Sequence, residues 1–297
     1  MKRITLNIVL VTLLFLLIPG ILFASGGHDK RKPDKTGILL VAFGSSEKSA
    51  WVSFDNIEKE VKSAYPGIPV RWSYTSHIIR KKLAGQGKLL DSPETALAKM
   101  LDEKFTHVVV QSLHTIAGEE YHGLVRTVAS FRMMNGFENI SLGEPLLSTQ
   151  EDMAKAVGAA ISIIPDKRKK DEAVVFMGHG THHPANAFYA ALMFQLQLKD
   201  KNIFLGTVEG YPDIELIKKM LIESKIKKVY LLPFMSVAGD HAKNDMAGDE
   251  DNSWKSILAS AGIEPVCILK GTAENKLFTD IWVSHIGRAM KAFKKDI

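Results

Sequence analysis

Short apolar runs alternate along the chain with longer stretches whose apolar positions recur every three or four residues. The runs at 38–43, 70–74, 107–111, 139–142, 173–177, 203–208, 228–232 and 265–269 are predicted strands. The stretches at 50–64, 93–103, 120–134, 151–163, 187–198, 214–224, 252–261 and 276–294 are predicted helices. Strict alternation of the two is the pattern of an α/β fold built on parallel sheets. Continuous runs such as VVVQ and AVVF suit strands covered on both faces.

The two halves of the pattern echo each other. Residues 41–45 (VAFGS) resemble 175–179 (VFMGH), and 107–120 resemble 228–241 in the order strand, turn, glycine, acidic residue, helix start. The chain is therefore expected to form two similar lobes, each a parallel sheet flanked by helices, with a cleft between them. The lysine-rich run at 165–171 is a solvated boundary, which places an N-terminal lobe at 36–165 and a C-terminal lobe at 166–297. Ahead of both, Lys2 and Arg3 precede an apolar run at 4–23 that is broken by Pro19-Gly20 and leaves through Ala24-Ser25-Gly26-Gly27. That is the pattern of a signal peptide over 1–24, followed by a flexible leader over 25–35. It implies export and a periplasmic location; an uncleaved anchor is the alternative. No later stretch is apolar for long enough to span a bilayer.

Composition narrows the chemistry. Of 297 residues, 46% are apolar and 24% charged, enough to bury a large core without staples. The single cysteine, Cys267, excludes a disulfide framework and a cysteine-rich metal site. The net charge of +5 comes from 38 basic residues scattered among 33 acidic ones, which argues against nucleic acid as a partner.

Ligands of open α/β sheets bind beyond the carboxyl ends of the strands. Three successive strands of the second half end there in His179, Glu209 and His241. Two imidazoles and a carboxylate suit a divalent first-row metal and also supply proton acceptors near neutral pH. Gly178 and Gly180 flank His179 and would let the backbone bend sharply around a bulky ligand. His182 and His183 read as loop residues with an accessory metal contact as the alternative. The acid-rich stretch 239–251 lacks the spacing of a calcium loop, so Asp240 is either a helix cap or one of several acids drawing cations toward His241. Ser45 and Ser46 follow the first strand, where they either cap a helix or help hold an anion. No dinucleotide fingerprint, P-loop or nucleophile elbow is present.

Six segments carry a resemblance to a known family: 40–45 (LVAFGS), 111–121 (QSLHTIAGEEY), 144–148 (EPLLS), 175–180 (VFMGHG), 208–212 (VEGYP) and 237–249 (VAGDHAKNDMAGD). On these the chain resembles the anaerobic cobalt chelatases, the class II tetrapyrrole chelatases of cobalamin synthesis. The resemblance implies a two-lobed chelatase whose substrate is sirohydrochlorin or a related tetrapyrrole. The reaction would insert Co2+ and release two protons, with Fe2+ as an alternative metal. It places the metal ligands and catalytic groups on His179, Glu209 and His241. Arg80, Lys81 and Arg126 are candidates to meet the substrate carboxylates. Two features depart from the family pattern. Export would separate the enzyme from sirohydrochlorin made inside the cell, which brings in metal trafficking, tetrapyrrole storage or haem handling. His122 stands where an acidic residue is expected; it is either an ordinary exposed histidine or an axial haem ligand between subunits of a homo-oligomer. The competing classes are a periplasmic carrier that delivers metal, tetrapyrrole or haem to a membrane transporter without turnover, and a zinc hydrolase with Glu209 as base.

Overall fold

The computed structural model describes residues 33–293. The expected signal peptide and residues 25–32 of the leader lie outside the described residues. The elements in order are β1 (Thr36–Ala42), α1 (Trp51–Ala64), β2 (Val70–Tyr74), α2 (His77–Ala84), α3 (Pro93–Asp102), β3 (His107–Ser112), α4 (Glu119–Met133), β4 (Asn139–Gly143) and α5 (Gln150–Ser162). They continue as β5 (Ala173–Gly178), α6 (Ala187–Gln197), β6 (Ile203–Thr207), α7 (Ile214–Glu223), β7 (Lys228–Pro233), α8 (Trp254–Ser260), β8 (Glu264–Cys267) and α9 (Lys276–Ala292). Every strand pair is parallel, in two four-stranded sheets of order β2-β1-β3-β4 and β6-β5-β7-β8. Each predicted strand and helix is found within a few residues of its expected position. Helix α2 and a π-helical turn at Ala242–Met246 were not expected. The sequence of α2, HIIRKKLA, is short and rich in charge; what starts it is Ser76, whose Oγ accepts the Ile79 amide at 3.3 Å.

Alternation along each strand divides the core into three. In β1, Ile38, Leu40 and Ala42 face one way and Leu39 and Val41 the other. The second set packs with α3 and α4 on the outer side of the first sheet. In β5, Ala173, Val175 and Met177 pack outward with α7 and α8, whereas Val174 and Phe176 face inward. The two inward faces belong to one continuous core, which also holds side chains of α1, α5, α6 and α9. The lobes therefore share their central layer, and the region from Asp34 onward forms one compact unit.

Helix α9 corrects the expected lobe assignment. Sequence order places it with the C-terminal lobe, yet it packs on β3 and β4 of the first sheet and on α1 and α5. Its apolar stripe, Phe278, Ile281, Trp282, Ile286 and Ala289, has helical spacing and is buried. Periodicity reveals that stripe but not which sheet it covers. Polar bonds fix the docking: His285 Nδ1 lies 2.8 Å from the Glu144 carbonyl, and Arg288 donates to Asp152 at 3.0 Å and to Glu144 at 2.8 Å. Among the described residues no helix is long and apolar enough to cross a membrane.

Candidate metal centre

The carboxyl ends of β5, β6 and β7 bring His179, Glu209 and His241 together. One ligand atom from each lies within 4.8 Å of the others. The ends of β5 and β6 are zipped by backbone bonds: Val208 donates to Gly178 at 3.1 Å and Glu209 to His179 at 2.8 Å. His179 Nδ1 sits 3.0 Å from the Gly180 carbonyl and 3.7 Å from Glu209 Oε2. An Nδ1–H directed at that carbonyl leaves Nε2 as the free donor. The His179 and His241 rings meet edge to face, with centroids 4.7 Å apart.

The glycines around His179 serve a purpose other than admitting a ligand. A Cβ on Gly178 would lie 2.6 Å from the Tyr189 ring. Gly180 has φ +82°, and a Cβ there would lie 2.9 Å from the Glu209 backbone. At Gly178 the space is taken by Tyr189 of α6 and at Gly180 by the segment after β6, a close approach that seats Glu209 beside His179.

His241 opens the π-helical turn, and its Nδ1 lies 2.6 Å from Asp245 Oδ2, four residues on. A carboxylate on Nδ1 fixes the ring and leaves Nε2 to bind metal. Of the other acids in this stretch, Asp240 also lines the cleft. Asp240 accepts from Asn244 at 3.0 Å, so it is not a backbone cap, and Asp249 pairs with Lys255.

These groups line a cleft of about 690 Å³. Its other lining includes Phe43, Ser45, Ser46, His114, Glu119 and Glu120 of the first lobe, and Ile78, Ile79 and Lys82 of α2. Ser45 is buried, and its Oγ accepts the Glu47 amide at 3.1 Å, a local turn in place of a helix cap or anion contact. The expected basic residues are placed differently. Arg80 and Arg126 line an adjoining cavity of about 510 Å³ that shares Glu119 and Glu120 with the cleft. Lys81 lines neither. Residues 78, 79 and 82 share one face of α2, so Lys82 is the lysine on the cleft wall. His122 and His182 are exposed and outside the cleft lining, as is the partly buried His183. The His122 ring lies 5.0 Å from that of His183, whose Nδ1 accepts the Ala185 amide.

His114 is a further histidine of the cleft lining. It lies just beyond β3, in the first-lobe position that matches Met235. Burial, with His179 nearby, pushes its imidazole down to about 4.

The cobalt chelatase (CbiK) family model matches residues 36–291. The chain belongs to the cobalt chelatase family. It is 43% identical over 273 residues to a sirohydrochlorin cobaltochelatase (CbiKC) of Nitratidesulfovibrio vulgaris, covering 90% of this chain and 97% of the relative. Against the sirohydrochlorin cobaltochelatase of Salmonella typhimurium the identity is 35% over 258 residues, covering 86% and 97%. Among solved structures, SirB from Bacillus subtilis with Fe3+ shares the chelatase fold, with a TM-score of 0.57 at 15% identity over 88% of this chain and 98% of that one.

Proposed function

We propose that the chain is a sirohydrochlorin cobaltochelatase, inserting Co2+ into the macrocycle with release of two protons. The observation that carries this reading is the convergence of His179, Glu209 and His241 on one wall of a cleft, in a chain of the cobalt chelatase family. The cleft volume of about 690 Å³ lies in the range of small-molecule sites.

Co2+ is here a substrate. Two imidazoles and one carboxylate neutralise it only in part, which leaves it attractive to a ring that becomes anionic as it loses protons. Ring nitrogens then displace the protein donors, and Glu209 or a freed imidazole accepts a ring proton. Glu209 suits the second task because it is the most exposed of the three and can pass the proton to water. Apolar walls from Phe43, Ile78 and Ile79 cover the macrocycle, and Lys82 faces its carboxylates.

The test is anaerobic absorbance spectroscopy of the purified protein with sirohydrochlorin and Co2+, beside a His179→Ala/His241→Ala double variant. A shift to the metallated ring in the wild type that is lost in the variant is the expected result. Binding of metal or ring by the wild type without turnover would favour the carrier reading. Replacing Co2+ by Fe2+ in the same assay tests the alternative metal.

Two finer readings belong with this one. The Lys2-Arg3 start, apolar run and small-residue exit support export to the periplasm, tested by fractionation and by a mature protein that begins at Ser25. His122 is exposed and its imidazole makes no hydrogen bond among the described residues, which suits an axial haem ligand. A His122→Ala variant that keeps co-purifying haem would remove that role.

A further inference from the structure

The cleft that holds the metal donors is short of positive charge. Apart from its histidines, the one cation of its lining is Lys82, set against the carboxylates of Glu119, Glu120, Glu209 and Asp240. A divalent ion on His179, Glu209 and His241 still leaves that balance negative. A substrate with carboxylates around its rim is repelled by such a surface unless cations lie close by. Two cavities adjoin the cleft. The one that shares Glu119 and Glu120 adds Arg80 and Arg126, but it also adds Glu94, and Arg126 already pairs with Glu119 at 3.7 Å. The other, of about 700 Å³, shares Ser46 with the cleft and is lined by Lys48, Lys88 and Lys243 against Glu47 alone. Lys243 pairs with Glu47, which leaves two ammonium groups in excess. Lys48 makes no ion pair among the described residues. Lys88 Nζ lies 3.1 Å from the centroid of the Trp51 ring, a contact that holds the ammonium and leaves N–H groups for an anion.

We infer that this lysine-lined cavity is the subsite for the peripheral carboxylates of the tetrapyrrole, with Lys48 and Lys88 as the residues that read them. The inference rests on the chelatase reading. A ring seated over the metal donors fills the cleft, so its carboxylate arms end in whatever adjoins it. Arms that reach Glu119 and Glu120 meet like charge, whereas arms that pass Ser46 meet Lys48 and Lys88. The difference selects the edge of the ring that points toward the lysines. Lys48, Lys88 and Lys243 are all exposed, so each contact is weak alone and the selection comes from their sum. Lys48 and Lys88 therefore govern ring binding and leave the affinity for the free ion alone.

The experiment compares Lys48→Ala/Lys88→Ala and Lys48→Glu/Lys88→Glu with the wild type, and uses Lys81→Glu, which lines none of the three cavities, as the control for long-range charge. Steady-state turnover gives KM and kcat for sirohydrochlorin, and titration without the ring gives Co2+ affinity. The double alanine variant should raise KM about fourfold to twenty-fivefold, each lysine contributing about twofold to fivefold, with kcat kept. The double glutamate variant should raise it further, and added salt should narrow the gap to the wild type. Co2+ affinity should stay within about twofold in both, and Lys81→Glu should leave KM within about twofold. The carboxylate-methylated ester of sirohydrochlorin, followed by fluorescence, should bind the wild type and the double alanine variant alike, because the charge that the lysines read is gone. The inference is overturned if both double variants keep the wild-type KM, if Lys81→Glu raises KM as much as they do, or if the ester loses affinity in parallel, which would make the lysines packing residues. In each of those cases wild-type turnover leaves the chelatase reading standing. A wild type that neither binds nor metallates sirohydrochlorin overturns that reading and this inference with it.

Discussion

His241 shows how one neighbour sets what an imidazole can do. Asp245 holds its Nδ1 at 2.6 Å, so the ring presents Nε2 to the cleft in a fixed orientation. Replacing Asp245 by alanine frees the ring to rotate. Co2+ affinity, followed by titration calorimetry, should fall about 10–100-fold, as for other outer-shell partners of metal ligands; unchanged affinity would show that Asp245 has no part in orienting His241. Gly180 exerts a similar control through the backbone. An alanine there meets the Glu209 main chain at 2.9 Å and adopts φ +82°, which by itself costs roughly 1–2 kcal/mol. Gly180→Ala should lower the melting temperature and weaken metal binding together, because the clash pushes Glu209 away from His179. At this scale the convergence of His179, Glu209 and His241 was legible, because all three stand at strand ends, where an α/β sheet puts its chemistry. Asp245 was not, because its role depends on which nitrogen of the His241 ring is occupied, and spacing says nothing about that.

Helices decide which charges reach the cleft and how the last element is locked in place. Periodicity does not reveal α2, so it does not show which of its lysines faces the cleft; Lys82 lines it and Lys81 does not. Lys82→Ala should raise KM for sirohydrochlorin about twofold to fivefold with kcat kept, the worth of one solvent-exposed charged contact, while Lys81→Ala leaves both unchanged. Equal effects from the two variants would remove Lys82 from the substrate contacts. At the other end of the chain, Asp152 closes the capping box of α5 with Thr149 and accepts from Arg288 of α9. Burial alone would raise its carboxyl, but bonds from Arg288, Thr149 and His285 outweigh that and hold it well below the ordinary carboxylate range. A depressed carboxyl contributes stability that is fully present above its unfolded pKa, near 3.9, and is lost as pH falls from there toward the folded value. Asp152→Asn should therefore be less stable than the wild type at pH 7 by about 3 kcal/mol, the lower end for breaking a buried pair. The gap in denaturation midpoints should narrow as pH falls below about 4. A gap that stays constant with pH would mean that the charge of Asp152 does not dock α9.

Two lobes joined by one core should behave as one molecule. The sequence repeat suggests two modules in series, and strand alternation supports that as far as it goes: each sheet has an outward face with its own helices. What periodicity leaves open is the partner of each inward face. Leu40, Val109, Phe176 and Tyr230 have buried side chains on different sheets, yet they share a cluster with Trp282 of α9, the last helix in the chain. Neither sheet can expose that face without uncovering the other, so partial unfolding of one lobe is unfavourable by the area of the shared layer. Hydrogen-exchange mass spectrometry in rising denaturant can follow peptides from β1 and β3 separately from those of β5 and β7. Both sets should lose protection at the same midpoint. Trp282→Ala, a deletion of about 3–5 kcal/mol in a fully buried position, should lower both midpoints equally although the residue sits on a first-lobe helix. If only β1 and β3 lost protection early, the lobes would be independent modules. The cluster of His179, Glu209 and His241 would then persist without the first-lobe wall that completes the cleft.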